Sequence, residues 1–567
     1  MTDPADLSER GGPDRARESD NSVFSGLAGR VLDELLERHP EAASTLGDHR
    51  FDDRLTDLGP EARDDDLRWA TRRVTELRGL ELADVPPGDR IDLQILTAEL
   101  ESRQFALEEL REHEWDPLLA NPGTAIYTLL ARDFAPLGDR LRSAAGRLHA
   151  VPPSLETARR SLTRMPRVHI ETALGQFAGA RTLLATELER ALTREPGLRA
   201  EVEPARDRAV VAIDGHIDWL RSQLDGAEGG DPRLGAEKFS RKLSLALDTA
   251  SDADAVLARA ENDLARIEQQ IADTAARLDP AGSAEGRVRR VLDRLASEGE
   301  VDNDSIVGLC ERAMEQTTEF VREHELVTVY EDPVEIIVMP EIHRGVAVAY
   351  CDPPGPLEQS SLPTYFAVSP TPEDWSAERV SSFFREYNAH MLHNLTVHEA
   401  MPGHVLQLAH NSRYDGAAVP VRKALWSGTF VEGWAVYAEE LMADRGYRSE
   451  QGLADALRMQ QLKMQLRMTI NAILDARVHA HGMTEDEAMR LMMQRGHQEE
   501  GEAAGKWRRA LLTSGQLSTY YVGYVEVADL ARDLAAARPE ATMRERHDAM
   551  LAYGSPAPRH LRTLLAL

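Results

Sequence analysis

Cysteine is the scarcest residue of functional interest in this chain, since its 567 residues include only Cys310 and Cys351. Two cysteines are too few for a disulfide framework, so both are expected to be buried, reduced thiols. Residues 1–22 are polar and lack the apolar segment of an export signal, which predicts a disordered tail. No apolar run is long enough to cross a bilayer. These absences predict a cytoplasmic protein without a membrane partner.

Positive charge is also in short supply. The chain has 66 Lys and Arg against 96 Asp and Glu, a formal net charge of -30. Such a surface repels a phosphate backbone, and the sequence contains no separate basic patch, so nucleic acid is excluded as a partner. Hydrophobic residues make up 42% of the chain, which is ample for a large core. The composition therefore indicates a large soluble protein, and its length is sufficient for two or more domains.

The dominant hydrophobic period is helical. Apolar residues recur at steps of three and four along one segment, at Leu257, Ala260, Leu264, Ile267 and Ile271. Similar patterns occupy residues 23–38, 92–113 and 155–192, and Pro- and Gly-rich stretches near residues 85 and 226 separate such segments. We expect these stripes to pack in an ordinary core. The pattern predicts an N-terminal helical region over residues 23–325.

The residue pattern changes between residues 326 and 370, where helical periodicity gives way to β-branched stretches. Two β-branched stretches, V-E-I-I-V-M-P and G-V-A-V-A-Y-C-D, are bounded by turn residues. They predict two or three strands from Val334 to about Ala367. A strand edge could bind an extended substrate through main-chain hydrogen bonds, although a purely structural hairpin fits equally well. We assign residues 326–567 to a catalytic region that contains this small sheet.

The most informative segment is T-V-H-E-A-M-P-G-H-V-L-Q, residues 396–407. His398 and His404 lie six residues apart, not four as in the familiar zinc-protease motif H-E-x-x-H. On an unbroken helix they would point about 240° apart, which suits no metal. Pro402 cannot donate a helical hydrogen bond, and Gly403 can adopt dihedrals closed to other residues. We therefore predict that the helix breaks or bulges and returns His404 beside His398.

On this interpretation the segment forms a Zn²⁺ site. His398 and His404 are the nitrogen ligands, and Glu399 is the general base that activates water. Glu432, in the later segment V-E-G-W-A-V-Y-A-E-E, is the predicted third ligand. Glu439 lies two helical turns further on and is expected to orient a ligand histidine, with replacement third ligand as the alternative. A solvated helix face is the competing explanation of the His-Glu pair.

Further candidates lie downstream. Asp475 and His479 are four residues apart on a predicted helix, so the aspartate could orient His479 as a donor to a developing oxyanion. An exposed ion pair is the alternative. Tyr520 and Tyr521 are the other candidates for oxyanion stabilisation, and sequence does not distinguish them. Gln516 is a candidate substrate contact or a turn residue.

A family resemblance supports these assignments. The segments H-E-A-M-P-G-H-V-L-Q, E-G-W-A-V-Y-A-E, D-A-R-V-H-A-H-G and G-Q-L-S-T-Y-Y-V-G, in this order, resemble the bacterial DUF885 family, named as a domain of unknown function. The segment from Gly47 to Leu55 resembles its N-terminal region. The family in turn resembles gluzincin metallopeptidases, in which two histidines and a downstream glutamate bind zinc. Val405 departs from the pattern, because many relatives have a second histidine there.

The resemblance implies a mainly α, zincin-like fold with a small β-sheet near the metal and a deep cleft. N-terminal helices would form one wall of this cleft, which would restrict substrates to short peptides or unfolded termini. The expected function is zinc-dependent hydrolysis of peptide bonds. A biosynthetic enzyme or a hydrolase of small amides is the first alternative, and a non-catalytic helical scaffold is the second. The sequence does not predict an oligomeric state.

Overall fold

The helical character of the sequence is realised throughout most of the chain. The computed structural model describes residues 22–83, 85–226, 230–298, 300–339, 348–372 and 375–567. Residues 1–21, which include nearly all of the expected polar tail, lie outside this described part. A mainly α fold with a small sheet is confirmed. Of the helices that the structure describes, none combines the length and the apolar character that a bilayer span requires.

The helices before residue 230 are α1 (Val23–Arg38), α2 (Pro40–Leu46), α3 (Pro60–Arg78), α4 (Arg90–Phe105), α5 (Gly123–Ala131), α6 (Leu137–Ser161), α7 (Arg167–Arg194) and α8 (Arg199–Gly226). Short 3-10 turns lie at His49–Phe51, Pro87–Asp89, Glu112–Glu114, Pro117–Ala120 and Pro196–Leu198. A π-helical turn at Ala106–Leu110 extends α4.

The second half begins with α9 (Ala236–Leu247), α10 (Ala253–Leu278), α11 (Arg287–Glu298) and α12 (Ile306–Glu323). Strands β1 (Val334–Val338), β2 (Ala349–Asp352) and β3 (Thr364–Val368) follow. The remaining helices are α13 (Ala377–Glu386), α14 (Ala389–Glu399), α15 (His404–Ser412), α16 (Val421–Ala424), α17 (Gly428–Asp444), α18 (Ala454–His481), α19 (Glu485–Arg490), α20 (Glu500–Leu512), α21 (Thr519–Ala537), α22 (Met543–Leu551) and α23 (Pro558–Leu564). A π-helical turn at Leu491–Arg495 extends α19.

The chain divides into two compact units. One consists of residues 1–231 with the short segments 355–361 and 413–426, and the other consists of residues 232–354, 362–412 and 427–567. The predicted boundary at residues 325 and 326 differs from this division. Helices α9 to α12 have the same amphipathic character as the earlier helices, but they belong to the unit that contains the sheet. An amphipathic stripe shows that a helix is packed, and not which partner covers it.

One predicted helical pattern, at residues 155–192, is divided between α6 and α7. The break at Leu162 to Pro166 has a local cause, because proline disfavours helical dihedrals in the residue before it and lacks an amide hydrogen. In α10 the predicted stripe is present with one change. Val256 is buried in place of Leu257, which is only partly covered.

The predicted strands form a three-stranded sheet in the order β1-β3-β2. Strand β3 lies in the centre, parallel to β1 and antiparallel to β2. Phe366, Ala367 and Val368 of β3 are fully buried, as expected for a central strand packed on helices. Residues 340–347, part of the predicted strand region, lie outside the described residues. Among the described strands, β2 is at an edge of the sheet.

Helix α18 is the central element of the sheet-containing unit. It has apolar residues on all faces, and nearly every position from Ala456 to Asp475 is buried. A helix that is covered all round must be enclosed by other elements. Met459, Leu466 and Ile473 lie in one apolar cluster with the buried stripe of α10. This core supports the helices that carry the candidate site.

Helices α17 and α21 cross in backbone contact at a pair of glycines. A Cβ atom built on Gly433 would lie 2.4 Å from the carbonyl carbon and oxygen of Gly523. A Cβ on Gly523 would lie 2.1 Å from the carbonyl oxygen of Thr429. Only glycine at both positions permits this approach. The crossing places the first turn of α21, with Tyr520, against the part of α17 that carries Glu432.

We predict that Gly433→Ala lowers the free energy of unfolding by at least about 2 kcal/mol, because backbone atoms at the contact cannot yield as a side chain would. Gly428→Ala in the same helix is the matched control, since its Cβ would meet the Cγ2 of Thr519 at an ordinary 3.8 Å. It should change stability by less than about 1 kcal/mol. Urea denaturation of both variants measures the difference. Equal stability of the two variants would contradict the backbone contact.

Candidate metal centre

The break between α14 and α15 changes the effective spacing of the two histidines. Helix α14 ends at Glu399, and Ala400 leaves the helical region with φ -123° and ψ -86°. The amide of Gly403 donates to the carbonyl of Val397 at 2.9 Å, six residues back instead of four. The break therefore contains two residues more than a regular helical turn. A spacing of six acts as a spacing of four, which confirms the predicted break.

Close packing in this loop explains the glycine. A Cβ atom on Gly403 would lie 1.8 Å from the carbonyl oxygen of His398. The peptide bond between Met401 and Pro402 is cis. The indole Nε1 of Trp434 donates to the carbonyl of Pro402 at 2.8 Å, which ties the loop to α17. The sequence P-G is thus part of the site's framework.

The break brings the three predicted ligands together. The rings of His398 and His404 have centroids 4.7 Å apart and are nearly perpendicular. The Oε2 atom of Glu432 lies 3.4 Å from Nε2 of His398 and 3.5 Å from Nε2 of His404. One ligand atom from each residue lies within 4.8 Å of the others. Atoms that each bind a tetrahedral zinc at about 2.0–2.1 Å are separated by about 3.3 Å, so this donor set fits the metal.

The electrostatics of the triad also fit a cation. Oε2 of Glu432 is buried and accepts no hydrogen bond from any described residue. Burial raises the pKa of Glu432, but its contacts with His398 and His404 outweigh burial and hold the pKa well below its ordinary value. Burial lowers the pKa of His398, and the carboxylates of Glu432 and Glu439 raise it above its ordinary value. Two imidazoles around an otherwise unpartnered carboxylate oxygen are suited to share a metal ion.

Glu439 lies where the prediction placed it, against a ligand histidine. Its Oε1 is 2.7 Å from Nδ1 of His398, and its Oε2 accepts from Nδ2 of Asn394 at 2.6 Å. A hydrogen bond at Nδ1 leaves Nε2 of His398 free to bind metal. This contact favours Glu439 as the orienting carboxylate over its alternative role as third ligand. Asn394 was missed by sequence reasoning, although it precedes His398 by one helical turn and so shares its face.

The candidate base, Glu399, is held by the sheet. The amide of Cys351 on β2 donates to Oε2 of Glu399 at 3.1 Å. Since Val348 is hydrogen-bonded to Ser369 of β3, alternation directs the amide of Cys351 away from β3. Burial raises the pKa of Glu399, and the neighbouring histidines lower it. A raised pKa favours a carboxylate that accepts a proton near neutral pH.

The two candidate tyrosines have different environments in the structure. The pKa of Tyr520 is raised first by the negative charge of Glu432 and then by burial, and Tyr520 lies in the first turn of α21, which crosses the helix of Glu432. Tyr521 instead donates to Oδ2 of Asp263 at 2.7 Å. Its hydroxyl is therefore engaged away from the metal ligands. Of the pair, Tyr520 is therefore the better candidate for oxyanion stabilisation.

The interpretation of Asp475 and His479 as an oxyanion donor pair is wrong. Nε2 of His479 lies 2.9 Å from the carbonyls of Ala510 and Thr513, at the end of α20. The nearest approach of His479 to Asp475 is 4.0 Å, too long for a hydrogen bond. Both side chains are buried, so the alternative of an exposed ion pair is wrong as well. Helical spacing revealed the shared face but not the neighbours that occupy it.

Asp475 instead stabilises a loop through hydrogen bonds. Its carboxylate accepts from the amides of Gly515 and Ser518 at 3.1 and 3.0 Å, and from the hydroxyl of Ser518 at 2.8 Å. It therefore fixes the loop that leads into α21 and Tyr520. Gln516 lies in the same loop and accepts a hydrogen bond from Arg509 at 2.8 Å. Its predicted role as a substrate contact stays a prediction.

With this geometry established, comparison with known proteins gives the family. A family model described as "Bacterial protein of unknown function (DUF885)" matches residues 40–565. The chain belongs to the bacterial DUF885 family. No curated protein matches this DUF885 protein. The family assignment from sequence is confirmed, and the further likeness to gluzincin peptidases is not part of the match.

Two solved structures resemble this DUF885 protein over nearly its whole length. One, described as a candidate lipoprotein of unknown function from Shewanella oneidensis, is 28% identical, with a TM-score of 0.82 and coverage of 96% of this chain and 100% of that chain. The other, a candidate lipoprotein from Colwellia psychrerythraea, is 16% identical, with a TM-score of 0.79 and coverage of 96% and 99%. At that identity the second shows the fold alone. The predicted cytoplasmic location of this chain stays a prediction.

We predict that Glu439→Gln weakens zinc binding by about tenfold or more, because a neutral amide is a poorer acceptor for Nδ1 of His398. Competition with a chromogenic chelator measures the affinity. Glu440→Gln is the matched control, since the neighbouring carboxylate accepts instead from the hydroxyl of Tyr524 at 2.8 Å. Equal zinc affinities for the two variants would contradict the orienting role of Glu439.

Proposed function

We propose that this DUF885 protein is a zinc-dependent hydrolase that cleaves peptide bonds in short peptides. One observation carries the proposal. The buried, otherwise unpartnered Oε2 of Glu432 lies 3.4 and 3.5 Å from the Nε2 atoms of His398 and His404, and Glu399 adjoins the first of these ligands. Two histidines, a downstream glutamate and an adjacent carboxylate are the groups that gluzincin-type peptidases use, and that likeness is part of this proposal.

The metal would be held by His398, His404 and Glu432. When bound, zinc supplies a Lewis acid that lowers the pKa of water and polarises a carbonyl group. Glu399 accepts a proton from the attacking water and returns it to the departing amine. Its hydrogen bond to the amide of Cys351 keeps one carboxylate oxygen fixed while the other is free for this transfer. Tyr520 donates from its phenol to the oxyanion that develops on the former carbonyl.

The surroundings of the triad favour an extended substrate. The outward amide of Cys351 meets Glu399, so the edge of β2 borders the reacting centre. An extended peptide could add its main chain along such an edge. The side chain of Glu432 keeps 25% of its surface accessible, although burial is the largest single influence on its pKa. A recessed but accessible site supports the expected zincin-like arrangement, with a cleft that admits short peptides or unfolded termini.

We predict that Glu399→Gln retains about one zinc per chain but loses about a hundredfold or more in kcat/KM on short peptides, because the amide cannot accept the proton. Zinc is measured by elemental mass spectrometry and turnover by release of amines. Glu378→Gln, at an exposed carboxylate in the first turn of α13, is the control and should match wild type. Full turnover by zinc-loaded Glu399→Gln would contradict the assigned base.

Two results on the wild-type protein would redirect the proposal. A zinc-loaded protein that hydrolyses small acylated amines and no peptide would favour the alternative of a small-amide hydrolase or biosynthetic enzyme. A folded protein that binds no zinc after reconstitution would favour a non-catalytic scaffold. Screening peptides against acylated amines with the same metal-loaded preparation separates these outcomes.

A further inference from the structure

A second polar group adjoins the metal triad on helix α20. Arg509 donates to Oε1 of Gln516 at 2.8 Å. The Arg509 guanidinium also lowers the pKa of the Tyr520 phenol, which the charge of Glu432 raises. Gln516 precedes Tyr520 by four residues, so Arg509 lies beside the start of α21, which crosses the helix of Glu432 at Gly433 and Gly523. Both of its partners on this side are neutral.

Lys506 lies one helical turn before Arg509 and so shares its face of α20. Burial and the charges of Arg467 and Arg509 lower the pKa of Lys506 to about 7, although the carboxylate of Glu502 opposes them. Within the part of the chain that the structure describes, the Lys506 ammonium has no hydrogen bond and no ion pair. A partly buried lysine without an acceptor is uncommon, because the desolvation of its charge is not compensated.

The nearby carboxylates are already engaged by other cations. Glu386 is buried and accepts from Nζ of Lys463 at 2.6 Å and from Arg467 at 3.1 Å. Glu502 forms an ion pair with Arg467. Two carboxylates thus offset Lys463 and Arg467, and Lys506 and Arg509 are left without a carboxylate partner of their own. In a protein with a net charge of -30, two basic side chains without such a partner on one face of α20 are notable.

The surplus charge is accessible. The side chains of Lys506, Arg509, Gln516 and Tyr520 are all partly exposed, as is that of Glu432. These groups can therefore be reached from solvent. An anionic ligand group bound between Lys506 and Arg509 would accept hydrogen bonds from both and relieve the repulsion between them. Arginine presents paired donors that match the two oxygens of a carboxylate.

We propose that Lys506 and Arg509 bind the terminal carboxylate of the peptide substrate, so that the enzyme cleaves close to the carboxyl end. This inference rests on the proposed function. A terminal carboxylate is the anionic group that every peptide carries, whatever its side chains. Binding it next to Tyr520 would hold the scissile amide at a fixed short distance from the carboxyl end and restrict cleavage to that end of the chain.

The test uses one mixed-sequence tetrapeptide library without Asp or Glu, prepared as free acids and as C-terminal amides. Wild type is expected to hydrolyse the acids with a kcat/KM at least tenfold above that of the amides. Arg509→Gln and Lys506→Gln should each reduce this ratio to below about threefold. Arg508→Gln, which changes the exposed neighbouring arginine, is the matched control and should keep the wild-type ratio. Hydrolysis of both libraries at equal rates would overturn the proposal.

Two further arms separate the possible outcomes. A library of C-terminal amides that includes Asp and Glu tests whether a side-chain carboxylate can bind in place of the terminal one. Cleavage of this library as fast as that of the free acids would overturn the assignment to the terminal carboxylate. Fluorescently labelled acids and amides are also titrated against zinc-loaded Glu399→Gln, which needs no turnover. Preferential binding of acids without hydrolysis by wild type would support the subsite while the peptidase function fails. Hydrolysis of peptides without any preference for free acids would support the proposed peptidase function and overturn the carboxylate-binding subsite.

Discussion

The candidate site depends on the hydrogen bond from the amide of Gly403 to the carbonyl of Val397. This bond spans six residues, and so removes two residues from the helical count between the histidines. It places His404 one effective turn after His398 and aligns both Nε2 atoms with Glu432. The backbone approach is so close that a side chain at residue 403 would collide with the carbonyl of His398. The ligand set therefore depends on backbone geometry as much as on the identity of its side chains.

Helix α17 organises the rest of the site. It supplies Glu432 to the triad and, two turns later on the same face, Glu439 to the far side of His398. Between them, Trp434 holds the carbonyl of Pro402. The glycine crossing at Gly433 sets α21 against this helix and brings Tyr520 to the triad. One helix thus positions a candidate ligand, a candidate orienting carboxylate, the loop and the phenol, as a preorganised site requires.

Sequence reasoning succeeded where local chemistry decides structure. Proline and glycine between the histidines predicted a break, and β-branched residues between turns predicted strands. It failed where the identity of a packing neighbour decides function. The spacing of Asp475 and His479 gave their shared face, but each is bonded to the segment around residues 510–518. The parallel pairing of β1 with β3 and the surplus charge of Arg509 likewise depend on contacts between distant segments, which no local pattern records.

The central claim is that a six-residue spacing closes a metal site, and metal content tests it most directly. Wild type and His404→Ala would be purified identically, reconstituted with zinc, freed of excess metal and analysed by elemental mass spectrometry. The account predicts about one zinc per chain in wild type and its loss in the variant, with both proteins folded by circular dichroism. Absence of zinc from folded, reconstituted wild type, or full retention of zinc by His404→Ala, would contradict it.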